Sequence, residues 1–248
     1  MPVSGSIVEV FASLQGEGLY CGEPQIFVRL GGCPLRCLYC DTPQGLEAPA
    51  EWIAHLEPAR RGANPVLADG VADLVRAFDV AWGAARTISV TGGEPLAQPD
   101  FLAELLPRWR GERRVHLETA GVHPAALERV AAYVDHVSMD WKLASTMERG
   151  RYDERHAAFL DVIVARGLDA CVKFVITPAV GDAELAGALE LVLARASRVP
   201  IFLQPATPDR AVPQGPSAER MDQLARLACA RGAAVRVLPQ VHKLLGIR

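Results

Sequence analysis

The chain has no surplus of basic residues. Its 26 lysines and arginines face 29 aspartates and glutamates, a formal net charge of -3, which leaves no electrostatic footprint for direct nucleic-acid binding. No apolar run is long enough to cross a membrane as a helix, and the first residues, with Glu9 and no basic flank, do not read as a secretory signal. Internal repeats are absent. Cysteine is too sparse for a disulfide framework: there are six in 248 residues, and Cys21, Cys171 and Cys229 are scattered. These absences predict a cytoplasmic protein whose thiols stay reduced, with neither membrane nor nucleic acid as a direct partner. Half of the residues are hydrophobic, so one sizeable core and a single domain over residues 1–248 are expected.

What is present starts with three cysteines. Cys33, Cys37 and Cys40 form a Cys-x3-Cys-x2-Cys run just after a short apolar stretch. Three thiolates on one loop can hold three corners of a four-iron cluster and leave the fourth iron open to another ligand. Structural zinc competes with this reading, but it wants a closed tetrahedral shell and no second Cys or His pair follows; His55 stands alone in a Pro/Ala-rich stretch. Cys171 and Cys229 lie in apolar runs and read as small buried hydrophobes. Further on, Thr91-Gly92-Gly93-Glu94-Pro95 offers two glycines that let backbone approach a cofactor and a carboxylate able to accept from an ammonium. Without the cysteines, a Gly-Gly after a strand would be merely a turn.

Strand-like and helical runs alternate along the chain. The strands are predicted at Ile26–Leu30, Thr87–Thr91, Val115–Glu118, His136–Asp140, Cys171–Ile176, Pro200–Gln204 and Ala234–Leu238. Helical periodicity falls at Asp100–Arg110, Pro124–Tyr133, Tyr152–Arg166, Asp182–Ala196 and Ser217–Arg231, with Asp182 and Ser217 as expected N-caps. Such alternation implies an α/β fold, a partial TIM-type barrel of about six parallel strands with helices outside. Glycine and polar residues cluster after the strands, at the end where barrels build active sites. Residues 43–70, rich in Pro, Ala and Gly, break the pattern; they read as a loop or helix insertion that either shields the cluster loop or is a plain linker.

The cysteine spacing and the Gly-Gly-Glu run resemble those of the radical S-adenosylmethionine (SAM) superfamily, whose three cysteines hold a [4Fe-4S] cluster while SAM chelates the fourth iron. The run Phe11-Ala12-Ser13-Leu14-Gln15-Gly16-Glu17-Gly18, with Gly22-Glu23-Pro24, Phe27 to Cys33, Cys40-Asp41-Thr42, Glu118-Thr119, Leu203-Gln204-Pro205 and Gln240-Val241-His242-Lys243, resembles the 7-carboxy-7-deazaguanine synthase family. The resemblance spans most of the chain. It implies a lyase that contracts the ring of 6-carboxy-5,6,7,8-tetrahydropterin with loss of ammonia, on the route to deazapurines such as queuosine. It also implies magnesium, regeneration of SAM, an external flavodoxin- or ferredoxin-like electron donor and a homodimer.

Residue chemistry agrees with such a substrate. Gln15 carries both donor and acceptor for a pterin edge, Glu17 can accept from its amino hydrogens, and Arg29 can pair bidentately with its carboxylate. As a surface strand charge, Arg29 would sit awkwardly between Phe27-Val28 and Leu30. By resemblance, Leu14, Gly16, Thr91, Glu118, His242 and the terminal carboxylate of Arg248 also serve the substrate, although a lone chain end is usually frayed. Tyr39, Gly92, Gly93, Glu94, Ser138, Asp140, Lys142, Gln204, Pro205, Ala206 and Thr207 are implied as SAM contacts, and Thr42 as a magnesium ligand, a position where threonine is more often a turn residue. The family often reads Ser-Pro-Lys where this chain has Ser138-Met139-Asp140-Trp141-Lys142, which leaves those contacts open. Two other readings stand beside this one: an activase of a glycyl-radical enzyme, and a non-catalytic zinc or redox-sensing protein.

Overall fold

A computed structural model of the protein describes residues 2–79, 86–208 and 212–248. Its strands are β1 (Ser4–Gly5), β2 (Ile7–Leu14), β3 (Pro24–Leu30), β4 (Glu51–Ala54), β5 (Arg60–Ala63), β6 (Val66–Leu67), β7 (Thr87–Gly92), β8 (Arg114–Thr119), β9 (His136–Asp140), β10 (Asp169–Ile176), β11 (Ile201–Pro205) and β12 (Val235–Val237). The helices are α1 (Ala68–Ala77), α2 (Pro99–Leu105), α3 (Pro124–Val130), α4 (Asp153–Arg166), α5 (Asp182–Arg195), α6 (Ala218–Ala230) and α7 (Val241–Leu245). Among the described residues, one sheet runs β12-β11-β10-β9-β8-β7-β3-β2-β4-β5, and β1 pairs with β6 apart from it.

From β12 to β3 every neighbouring pair is parallel, and β12 and β5 stand at opposite edges without pairing. The barrel is therefore open. All seven strand-like runs are present, one more parallel strand than the six or so expected; the seventh, β12, is a short edge strand. Parallel strands covered on both faces read as nearly continuous apolar runs, and β10 buries Cys171, Val172, Phe174, Val175 and Ile176. The helices cover the sheet with stripes such as Leu185, Leu189 and Val192 of α5. Asp153 and Glu154 open α4, Arg166 closes it, and Gly167 ends it in the left-handed conformation, as the helix dipole and C-cap sterics favour.

Three local expectations are corrected. Ser217 caps α6, accepting from the Arg220 amide at 3.1 Å, but Asp182 is not a cap: Gly181 takes that position and the Asp182 carboxylate pairs with Arg220 at 2.6 Å. Residues 43–70 hold three short strands, β4, β5 and β6, that the loop or helix reading did not include. Trp52 and Ile53 favour extended chain, and β4 joins β2 in parallel and β5 antiparallel, widening the sheet at its edge. Lastly, the run ending at Leu14 is more than a motif. It forms β2, antiparallel to β3, with Glu9, Phe11 and Ser13 on one face by the two-residue strand period.

Candidate active site

The carboxyl ends of the seven parallel strands converge on a cavity of about 460 Å³. Cys33, Cys37 and Cys40 open onto it as free thiols. Their loop is pinned by backbone: the Cys33 amide donates to the Leu46 carbonyl (3.0 Å) and the Leu38 amide to that of Thr146 (2.9 Å). Burial pushes the Cys33 thiol up to about 11 and raises Cys37 as well, against the pull of Lys142. Among the described residues no three Cys, His, Asp or Glu side chains converge on one ion position. Three cysteines on one cavity wall are the donor set that a four-iron cluster would take, with its fourth iron left open.

The glycine pair does more than approach a cofactor. A Cβ on Gly93 would lie 2.3 Å from the Gly45 carbonyl oxygen and 2.5 Å from that of Gly32, so this backbone, the cysteine loop and the turn after Thr42 touch directly. Only glycine allows that approach. Glu94 is fully buried and does not line the cavity. Its carboxylate accepts from Thr119 Oγ1 (2.7 Å), the Ala120 amide (2.7 Å) and the Leu96 amide (3.0 Å), bracing the loop after β8; burial nonetheless raises its pKa. Pro205 also lies off the cavity.

Every other residue given a cluster, SAM, magnesium or substrate role in the sequence lines this cavity. Gln15 Nε2 donates to Glu118 Oε1 (2.7 Å), which also accepts from Ser89 Oγ (2.7 Å), while Thr91 donates to Glu118 Oε2 (3.4 Å). His242 packs on Gly16, where a Cβ would sit 1.9 Å from His242 Nδ1, and the Val241 amide donates to the Gly16 carbonyl (3.0 Å). Lys142 Nζ reaches Asp140 (2.8 Å) and Tyr39 Oη (2.9 Å). Thr42 precedes a tight turn, its carbonyl accepting from the Gly45 amide (2.9 Å).

Sequence reading gave no site role to five cavity residues with charge or hydrogen-bonding roles, Lys173, Gln240, Asp41, Lys243 and Glu9. Lys173 pairs with Glu17 and lies 3.5 Å from Asp140; a lysine inside the apolar run of β10 was the available signal. Gln240 donates to Glu17 (2.8 Å) and Asp41 (3.0 Å). Burial works to raise the Glu17 and Asp41 carboxyls, but Lys173 and Lys243 respectively hold them below the ordinary range. Glu9 gathers Arg29, His55 and Arg248, each at 2.9 Å; burial opposes its ionisation, and Arg29 keeps it depressed all the same.

Beneath the cavity lie two buried histidines. His116 Nε2 is hydrogen-bonded with Ser138 Oγ (2.8 Å), and burial lowers its pKa to about 3. His156 accepts from the Lys142 amide (3.0 Å), and burial lowers it to about 4. Unfolded histidine titrates near 6.5, so the unfolded chain binds more protons as pH falls below that value and the fold loses stability. Between pH 7 and pH 5 each histidine should cost about 2 kcal/mol. Urea unfolding at both pH values checks this: His116→Gln should flatten the decline, and a decline as steep as wild type would refute it.

The description "Radical SAM superfamily" matches residues 27–192 of the chain. The chain is 40% identical to the 7-carboxy-7-deazaguanine synthase of Geobacter sulfurreducens over 244 residues, covering 96% of each. It is 34% identical to the synthase of that name from Methanothermobacter thermautotrophicus, covering 98% of this chain and 97% of the relative. The fold is similar to the crystal structure of QueE from Escherichia coli, with a TM-score of 0.62, 24% identity and coverage of 96% and 95%. With its cysteine loop, glycine pair and cavity at the strand ends, the chain belongs to the radical SAM superfamily and, within it, to the 7-carboxy-7-deazaguanine synthase family.

Proposed function

We infer that the chain catalyses the reaction its relatives are named for, converting 6-carboxy-5,6,7,8-tetrahydropterin to 7-carboxy-7-deazaguanine with release of ammonia. The observation that carries this is the sharing of one cavity by the three cysteines and by Gln15, Glu17 and Arg29. Held by Cys33, Cys37 and Cys40, a [4Fe-4S] cluster would supply the electron that releases a 5′-deoxyadenosyl radical from SAM. The lining on the β9 and β11 side, with Ser138, Lys142 and Gln204, suits the polar groups of SAM. Gln15 and Glu118 form the amide-reading edge for the pterin ring, and Arg29 takes its carboxylate. Thr42 offers an oxygen for magnesium, a hard cation that keeps several waters. A flavodoxin- or ferredoxin-like donor, a homodimer and a cytoplasmic setting complete the reading and rest on family resemblance. The activase alternative is not favoured, since relatives matched over nearly the whole chain are synthases.

Turnover of the pterin by anaerobically reconstituted protein, followed by product mass with and without magnesium, tests the reading. Arg29→Ala removes a charge-assisted contact of roughly 1.5–3 kcal/mol, about tenfold to more than a hundredfold in pterin affinity. SAM binding should be unchanged. No product from the wild type would end the synthase reading; an unchanged pterin affinity in Arg29→Ala would end only the role of that residue.

A further inference from the structure

Strand β2, between β3 and β4 in the sheet, carries a cation clamp that no family motif assigned. Glu9 Oε1 accepts from Arg29 Nε and Glu9 Oε2 from Arg248 Nη1, both at 2.9 Å, with His55 Nε2 at 2.9 Å from the same Oε2. Two residues along the same face, Phe11 lies under Arg29, whose guanidinium carbon is 5.6 Å from the ring centroid, and Phe11 stacks on Phe27 with centroids 4.9 Å apart. Two residues further, Ser13 Oγ donates to the Arg248 carbonyl oxygen at 2.7 Å. Alternate positions of one strand thus set the height, tilt and separation of two guanidinium groups.

We propose that Glu9 is a positioning residue for the carboxylate end of the substrate, holding Arg29 and Arg248 as a pair on the cavity wall. Two fixed positive charges side by side repel and would drift apart; a carboxylate between them, 7% exposed, keeps both in place. The two guanidinium groups offer donors and positive charge to an anionic ligand, with Glu9 behind them and the terminal carboxylate of Arg248 held aside by Ser13. Arg29 meets Glu9 through Nε, so the Nη edge of the guanidinium is the edge turned to a second carboxylate. Glu9 itself, as an anion behind the pair, is the wrong charge to touch that ligand. The inference rests on the reading of Arg29 given above.

The test is pterin and SAM affinity by calorimetry on anaerobically reconstituted protein, for wild type, Glu9→Ala, Glu9→Gln, Arg29→Ala and the Glu9→Ala/Arg29→Ala double variant. Glu9→Ala should weaken the pterin about tenfold and leave SAM affinity unchanged. Glu9→Gln, which keeps an acceptor for Arg29 without the charge, should weaken it less. Because Glu9 acts through Arg29 and Arg248, the double variant should lose less affinity than the sum of the two single losses, keeping only the part that runs through Arg248, a non-additivity that a packing role would not produce. Should Glu9→Ala fail to fold, Glu9→Gln carries the test. Weakening by Arg29→Ala with wild-type affinity in the Glu9 variants overturns the positioning role and leaves the Arg29 reading intact, as does strict additivity in the double variant. Wild-type affinity in Arg29→Ala overturns both.

Discussion

Replacing Cys37 with alanine should empty the protein of iron and sulfide and reduce turnover to background, while leaving the chain folded. A cluster held by three thiolates has no spare thiolate on its loop. Apart from the cluster, Cys37 meets Lys142 and packs against Leu35 and Met147. The loop around it is held by backbone, through its bridge to Met147 and the bonds of Cys33 and Leu38, none of which involves the thiol. Burial already disfavours the Cys37 thiolate, so the alanine variant sheds a group that is costly to ionise without a metal beside it. Iron and sulfide per chain after anaerobic reconstitution, together with the thermal midpoint, separate loss of the cluster from loss of the fold. Cys229→Ala, at an exposed position, is the control that keeps full content. Full iron and sulfide in Cys37→Ala would sink the cluster assignment.

The parts of this molecule legible in the sequence are those whose physics is local. A strand such as β10 announces itself by an unbroken apolar run, and α5 by apolar residues three and four apart. Cys33, Cys37 and Cys40 announce their chemistry because one short loop must hold them together. The strands added beyond β3 were hidden for the opposite reason. β2 and β4 pair across more than 40 residues of chain, and the Pro/Gly content of residues 43–70 reads as loop until that partner is known. Glu94 illustrates a different limit: the Gly-Gly-Glu run says that a carboxylate is present, while the donors that surround it, Thr119 and Ala120, come from another strand end. Glu9 looked like nothing more than an acidic residue near the N-terminus, because its three partners lie at positions 29, 55 and 248. Lys173 was visible as a charge in an apolar strand, and the physical rule that a buried charge must be paired should have marked it.

Lys173→Met is expected to destabilise the fold by about 3–5 kcal/mol at pH 7, the range for breaking a buried ion pair by removing one partner. The ammonium pairs with Glu17 and lies 3.5 Å from Asp140. Asp140 keeps Lys142 at 2.8 Å, so the penalty falls on Glu17, left with the Gln240 amide alone at 2.8 Å. The pH dependence follows from the direction of the Glu17 shift. Burial works to raise that carboxyl and Lys173 more than offsets it, holding it below the ordinary 4.5. Its contribution to wild-type stability is therefore present above pH 4.5 and lost as pH falls below that value. Without Lys173, burial and the Asp41 charge are opposed only by the Gln240 hydrogen bond, and Glu17 takes up a proton at a higher pH than in the wild type. The gap between variant and wild type should be widest at pH 7 and narrow toward pH 4.5. Adding Glu17→Gln to Lys173→Met removes the stranded charge and should restore part of the loss, a coupling that independent sites would lack. Urea unfolding of the two variants and the wild type at both pH values decides the matter: equal stability at pH 7, or a gap that does not change with pH, would show that the Lys173 charge does not hold Glu17 in place.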